Sequence, residues 1–335
     1  MPAAQTSPLP TTGPALSSWL PSMLVLGAIW GSSFLLIKIG VQALHPLWVS
    51  AGRVTFGAAA LGVILLLIRH RLPTDPAAWW HNGVVGVINC AVPFTLLAFA
   101  EQRIPSTLAG IWNATTPLIV LPLAVLLFRT ESFTPRRIAG LLLGLGGVLI
   151  IIGVWHVDGS AADLWGQLLC LGTTSCYAVG ICWTRRFISP RPESGTVAAF
   201  CQLVTATVVL VPVALIVVRP GQVVSAAPGP LAAVAVLGAI GTGVAFLLNV
   251  RNIRMIGASA ASAVTYLTPI FATVIGVLVL AEQITWNQPT GALLVLLGVA
   301  VAQGIFRRRS PKSLVPLTTA TAAETTRAGR AKGEQ

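Results

Sequence analysis

Acidic residues are scarce: nine Asp and Glu stand against 21 Lys and Arg in 335 residues, and charged residues make up only 9% of the chain. Soluble domains carry about a quarter charged residues, so the shortage alone argues against a freely soluble fold. Histidine is as thin. His45, His70, His81 and His156 lie at the edges of apolar runs or between them, and none stands beside an acid or a second histidine at metal-ligand spacing. The sequence therefore supports no metal, no cofactor and no catalytic cluster, and an enzyme is not expected. The five cysteines, Cys90, Cys170, Cys176, Cys182 and Cys201, all fall inside apolar runs without a CxxC pair, which predicts buried free thiols rather than disulfides.

What the chain has instead is apolar length. Hydrophobic residues make up 55% and mean hydropathy is +0.84, more apolar surface than one soluble core can hide, so an all-α integral membrane protein is expected. The apolar runs are approximately Met23 to Leu44, Trp48 to Ile68, Gly83 to Ala100, Ser106 to Phe128, Ile138 to Val154, Leu164 to Trp183, Val197 to Val218, Leu231 to Asn249, Ser259 to Ala281 and Gly291 to Phe306. Each is about 20 residues, enough to cross a hydrocarbon core of roughly 30 Å as a helix, which predicts ten transmembrane helices. Residues 1–21 lack a basic stretch ahead of the first run and read as a disordered tail rather than a cleaved signal. Residues 310–335 read as a disordered cytoplasmic tail, with Arg307 to Arg309 as interfacial anchors.

Basic residues set the orientation. If the N-terminus is cytoplasmic, the inner connections hold Arg69, Arg71, Arg129, Arg136, Arg137, Arg185, Arg186, Arg191, Arg251 and Arg254, while the outer ones hold only Arg103 and Arg219. Both termini are then expected in the cytoplasm of a multi-pass protein of the inner (plasma) membrane. The net charge of +12 belongs to membrane edges, and the bilayer rather than nucleic acid is the expected partner.

The chain is written twice on one plan. Thr116-Pro117 and Thr268-Pro269 each sit mid-run ahead of a glutamate, Glu131 or Glu282, and a Gly/Leu-rich run follows in which Gly140/Gly291, Leu142/Leu293 and Gly147/Gly298 coincide at one offset. This predicts two five-helix repeats, residues 22–155 and 163–307. Five is an odd number, so the second repeat enters the membrane in the opposite sense, and alternating access about a midplane site becomes the economical mechanism.

Trp30-Gly31-Ser32-Ser33-Phe34, Lys38, Pro46 with Arg53, the Thr-Pro helices ending at Glu131 and Glu282, and the Gly140/Gly291 runs resemble the EamA-type branch of the drug/metabolite transporter superfamily over about Leu20 to Arg308. The resemblance implies a ten-helix bundle of two inverted repeats that exports small organic metabolites or drugs. Helices 1, 3, 4, 6, 8 and 9 would surround a cavity, with helices 5 and 10 at the periphery. Two features depart from a strict duplication: Cys176 stands where Trp30 has its counterpart, and Glu131 lies one residue further from its proline than Glu282 does.

Candidate site residues follow from polar groups at mid-run depth. Pro93, Pro117 and Pro269 each disrupt a helical hydrogen bond, beside Asn89, Asn113 and Thr268. Either the freed carbonyls face a binding site, or they are capped within the protein. With Trp30, Ser33, Thr116, Tyr177 and Tyr266, these polar residues make the expected substrate-binding set. Lys38 and Arg53 are the charges well inside apolar runs. They either receive a substrate carboxylate, or snorkel to the surface or bond helix-end carbonyls, the structural alternative being preferred. The acids lie outside the helix centres, so no proton or sodium relay is visible; either Glu101 or Glu282 faces a water-filled vestibule and couples protons, or export is uncoupled, and Glu131 and Glu282 read as helix-end contacts. Gly140, Gly144 and Gly147 suit close packing of helix 5 on helix 10, with dimerisation as the alternative; the chain is expected as a monomer or homodimer. The expected cargo is a small amphipathic solute, neutral or zwitterionic, such as a hydrophobic amino acid. A receptor or scaffold, or an enzyme without a visible cluster, is the alternative to a transporter.

Overall fold

The computed structural model describes residues 16–129, 132, 134–152, 161–218, 221–224, 227–256, 261 and 264–303. Among these residues all regular structure is helical. The helices are α1 (Leu16–Ala43), α2 (Pro46–Leu67), α3 (Pro76–Glu101), α4 (Ser106–Leu126), α5 (Pro135–Ile152), α6 (Asp163–Ile188), α7 (Gly195–Val217), α8 (Pro228–Ile256), α9 (Val264–Leu280) and α10 (Asn287–Gln303), with a single turn at Gly221–Val224 between α7 and α8. Seven of them, α1 to α4 and α6 to α8, are long and apolar enough to cross a membrane, and α9 and α10 are shorter apolar helices. The expectations for Glu131, for the segment opening at Gly257 and for residues 1–15 and 310–335 lie outside the described residues, whereas residues 16–21, expected as tail, already belong to α1.

Local chemistry sets the helix starts. Pro76 occupies the first turn of α3, where its missing N–H costs nothing, and the Asp75 carboxylate accepts from Ala77 N at 2.9 Å. Pro46 plays the same part in α2, with His45 Nδ1 accepting from Leu47 N at 3.3 Å, and Ser194 Oγ caps α7 through Val197 N. These caps explain where helix and apolar run differ. The third run opens at Gly83, but its helix begins about two turns earlier, at the capped Pro76. Likewise the eighth run stops at Asn249 while α8 continues through Arg251 and Arg254 to Ile256, because a helix can carry arginines beyond the apolar core.

The core is built between helices rather than within one layer. α1 packs on α8 and α9, α2 on α7 and α8, α3 on α6 and α7, and α4 on α6 and α9. Leu26, Ile37, Leu61, Leu203 and Leu237 are fully buried, while Leu66, Ile216 and Leu278 face outward, as expected where the surroundings are lipid. α5 and α10 pack chiefly on each other. There Gly140 meets Gly298 and Gly147 meets Gly291, so the two helices run antiparallel with backbones in contact. Asn287, opening α10, donates to the carbonyls of Ile150 and Ile151 and so caps the end of α5.

A Cβ on Gly147 would stand 2.7 Å from the Gly291 carbonyl oxygen and 2.7 Å from Val295 N. Since the obstacle is backbone, Gly147→Leu must part the two helices. Overpacking of this kind costs about 1–3 kcal/mol or more, and a lowered thermal midpoint of the detergent-solubilised protein is the expected result. An unchanged midpoint would contradict the close crossing.

Candidate functional site

The polar centre of the bundle forms around Arg53. It is 7% exposed, its Nε donates to Thr242 Oγ1 at 3.0 Å, and its guanidinium lies 3.7 Å from the centroid of the Phe94 ring. The expectation that Arg53 snorkels is therefore overturned: the side chain is held inward by a hydroxyl on α8 and an aromatic face on α3, a desolvated cation–π arrangement. Tyr177, Cys90 and Glu101 lie within its electrostatic reach. Thr242 sits in a π-helical turn of α8, Ala239–Val244, where Gly243 lets α2 approach closely at Gly57 and Ala60, and its own hydroxyl donates to Leu237 O at 3.2 Å. Neither Thr242 nor Phe94 stood out in the sequence; the only hint was the density of glycine in that run.

Each proline is accommodated differently. Ahead of Pro93, α3 widens into a π turn, Val87–Ala91, in which Val92 N reaches back to Val87 O. Such turns recur at functional sites. In α4 the helix is interrupted between Asn113 and Thr116, and Thr116 Oγ1 donates to Asn113 O at 2.8 Å. The Asn113 carbonyl is thus capped by its own helix, so the reading in which it stands free toward a ligand does not hold, while the Asn113 side chain remains half-buried. α9 runs through Pro269, with Thr268 Oγ1 on Val264 O at 3.1 Å.

The other candidates divide by their surroundings. Ser33 is buried, donates to Ile29 O at 3.0 Å and faces Gly241. Trp30 is half-buried and packs with Met23, Leu26, Ala245 and Val264. Asn89 lies in the π turn of α3 against Gly180 of α6, and its Oδ1 is buried without a partner. Tyr266 OH and Trp112 Nε1 are likewise buried and unpartnered, and both rings belong to the same core cluster. Buried polar atoms of this kind cost free energy unless something completes them.

A second polar cluster lies where the α3–α4 connection meets α1 and the end of α9. Lys38 Nζ donates to Glu101 O at 2.6 Å and to Ile104 O at 3.0 Å, which is the helix-end reading of Lys38. Ala281 takes a left-handed conformation, φ 52°, and turns Glu282 back onto α4. There its two oxygens accept from Ser106 N at 2.8 Å and Thr107 N at 2.9 Å. A carboxylate on the first N–H groups of a helix meets both unpaired donors and the positive end of the dipole. Glu101 is fully buried, and neither of its oxygens has a hydrogen-bond partner. The sequence placed it just past an apolar run, as an acid that could face a water-filled vestibule and not as a substrate-binding residue.

Elsewhere Asp75 pairs with Arg191 at 2.7 Å, tying the α2–α3 connection to the α6–α7 connection. The backbone N–H of Ala77, then the Arg191 guanidinium, hold the Asp75 carboxyl below the ordinary carboxylate range. A groove on α3 and α7, lined by Trp79, Trp80, Val84, Val87 and Thr205, holds none of the candidate residues. Among the described residues no group of three His, Cys, Asp or Glu could hold a metal ion.

Comparison with known proteins agrees with this architecture. The model of the EamA-like transporter family matches residues 17–153 and again 164–303. The chain is 28% identical over 260 residues to a protein of Escherichia coli (strain K12) called uncharacterized inner membrane transporter YedA, covering 76% of this chain and 80% of that one. It is 26% identical over 294 residues to Protein PecM of Dickeya dadantii, covering 86% and 93%, and 25% identical over 290 residues to a Bacillus subtilis protein called uncharacterized transporter YyaM, covering 83% and 90%. A protein crystal structure superposes with a TM-score of 0.61 at 22% identity, over 88% of this chain and 100% of the other, a likeness of fold.

The Glu282 contact makes a prediction about stability. Hydrogen bonds to a charged group contribute about 1.5–3 kcal/mol each. Glu282→Ala is expected to lower the thermal midpoint in detergent clearly, and Glu282→Gln, which keeps an acceptor but loses the charge, to fall between it and the parent. Equal midpoints for all three proteins would show that the contact does not hold α4.

Proposed function

Because the chain belongs to the EamA-like transporter family, we propose that it is a secondary transporter exporting small organic metabolites or drugs, amino-acid-like solutes being favoured, by alternating access between two inverted five-helix repeats. The carrying observation is the α5–α10 crossing. Gly140 and Gly291 correspond in the duplication, as do Gly147 and Gly298, and the contacts made are the exchanged pairs, Gly140 with Gly298 and Gly147 with Gly291. Exchanged pairing is what a twofold axis between two copies of one unit produces, and antiparallel copies are what inversion requires. The other contacts support the same reading. α1 on α9 has its counterpart in α6 on α4, α1 on α8 in α6 on α3, and α2 on α8 in α7 on α3. The family model matching twice in one chain is a further support.

In this reading ten helices cross the membrane, both termini face the cytoplasm, and the two halves rock about the centre near Arg53. Arg53 is the natural receiver of a solute carboxylate. Its fork of donors suits that group, and Phe94, Tyr177 and Tyr266 offer apolar faces with hydroxyls for the remainder. Asn89, Asn113, Trp30, Ser33, Thr116 and Thr268 complete the proposed lining. A cation at the centre disfavours dications as cargo, which is the physical ground for preferring zwitterions.

Cells expressing the protein, challenged with a panel of radiolabelled amino acids and toxic cations, are expected to accumulate less of the amino acids. Efflux confined to cations would reverse the substrate preference. Arg53→Met is expected to lower that efflux at least about tenfold, the loss of one charge-assisted contact, with the protein still inserted, and Asn113→Leu to lower it less. Topology is tested with single cysteines in a cysteine-free background. Arg103→Cys should react with an impermeant maleimide in intact cells and Arg251→Cys only after permeabilisation; labelling of both from the same side would end the inverted arrangement.

A further inference from the structure

Among the described residues, the carboxyl of Glu101 is a buried acid that neither the packing nor the proposed solute binding uses. It closes α3 at a fully buried position, and both of its oxygens lack a hydrogen-bond partner. The nearby Lys38 Nζ donates to the Glu101 and Ile104 carbonyl oxygens and makes no hydrogen bond to the carboxyl, although its charge lies within electrostatic reach. Glu282, the other acid in electrostatic reach, is engaged with the amides of Ser106 and Thr107. The remaining titratable groups around it are Arg53 on α2 and Cys170 on α6, His45, whose ring meets Phe99 two residues before Glu101, and Arg103, which donates to Phe99 O. None of them completes the carboxyl. An ionised carboxylate buried without a partner is strongly disfavoured, whereas the acid form is tolerated.

The position matters as much as the burial. Lys38 ties α1 to the end of α3, and Glu282 ties the end of α9 to the start of α4, so α1, α3, α4 and α9 are drawn together at this end of the bundle. Glu101 lies within that set of ties. Separating them would admit water to the carboxyl, and closing them removes that water, which favours its neutral form. We infer that Glu101 is a proton-binding site whose loading accompanies closure of this end, which makes the protein a proton antiporter. A proton taken from water at this end stays on a Glu101 oxygen while the end is closed and leaves to the opposite side when that side opens, in exchange for a solute moving the other way. This rests on the transporter reading above and names its driving ion.

Two measurements test it, one of them independent of any cargo. Infrared difference spectra of the reconstituted protein at neutral pH should contain the C=O stretch of a buried protonated carboxyl, and Glu101→Gln should abolish it. A band that persists in Glu101→Gln, or no such band in the parent protein, overturns the inference whether or not a solute has been found. The second uses proteoliposomes loaded with radiolabelled leucine, with the membrane potential clamped. An outside-acid gradient of about one pH unit should raise the leucine concentration ratio up to about tenfold for one proton exchanged per solute. Glu101→Gln should keep leucine/leucine exchange and lose the response to the gradient, and Glu101→Asp should recover it. If leucine moves in the parent protein but ignores the gradient, or Glu101→Gln responds as the parent does, proton coupling at Glu101 fails while the transporter reading stands. If neither leucine nor any other solute of the panel moves at all, the transporter reading fails instead.

Discussion

Hydrocarbon offers no hydrogen bonds, so every backbone N–H and C=O in a membrane bundle must find its partner inside the protein. That constraint organises this structure. It makes the described regular structure helical, and it governs what happens where helices end or break. Thr116 returns its hydroxyl to the carbonyl beside a proline, and α3 widens into a π turn ahead of Pro93. Glu282 supplies acceptors to the first amides of α4, Lys38 supplies donors to the end of α3, and Asn287 does the same for α5. Several of the polar side chains that tie one helix to another, Glu282, Lys38 and Asn287 among them, do so by completing a helix terminus.

A second consequence concerns the few charges within the bundle. Arg53 is tolerated at the centre because a hydroxyl and an aromatic face receive it, and Lys38 because two carbonyls do. Both cations sit on the helices that open the first half, within electrostatic reach of Glu101 at the end of α3. Charge is thereby concentrated along one path from the centre of the bundle to one of its ends. A transporter that must open and close around a solute needs contacts of intermediate strength along such a path, and polar ties between helix ends are easier to exchange than an apolar core packed to full density.

Much of the fold was legible in the sequence because membrane helices announce themselves by length and hydropathy. The glycines of α5 and α10 were also legible, since small residues at helical spacing have little other use in an apolar helix. Pro93 and Pro117 correctly marked where α3 and α4 depart from regular geometry. Which carbonyls those prolines left free was not legible, because the answer depended on a hydroxyl one residue before Pro117 and on a change of helical pitch. Arg53 was marked as unusual but assigned the wrong direction: snorkelling range is measured along the helix, and burial depends on which neighbours cover its face.

The sequence by itself determined the class of the protein, an all-helical membrane transporter of the EamA-like family, because composition, run length and motif order are properties of the chain alone. The tertiary structure decided which polar groups meet. Arg53 with Phe94 and Thr242, Glu282 with the start of α4, and Lys38 with the end of α3 join residues of different helices. The physical reason is that a hydropathy profile records how apolar each segment is but not how it is rotated about its axis. Rotation, set by packing against neighbours, is what turns a stray charge in an apolar run into a buried site.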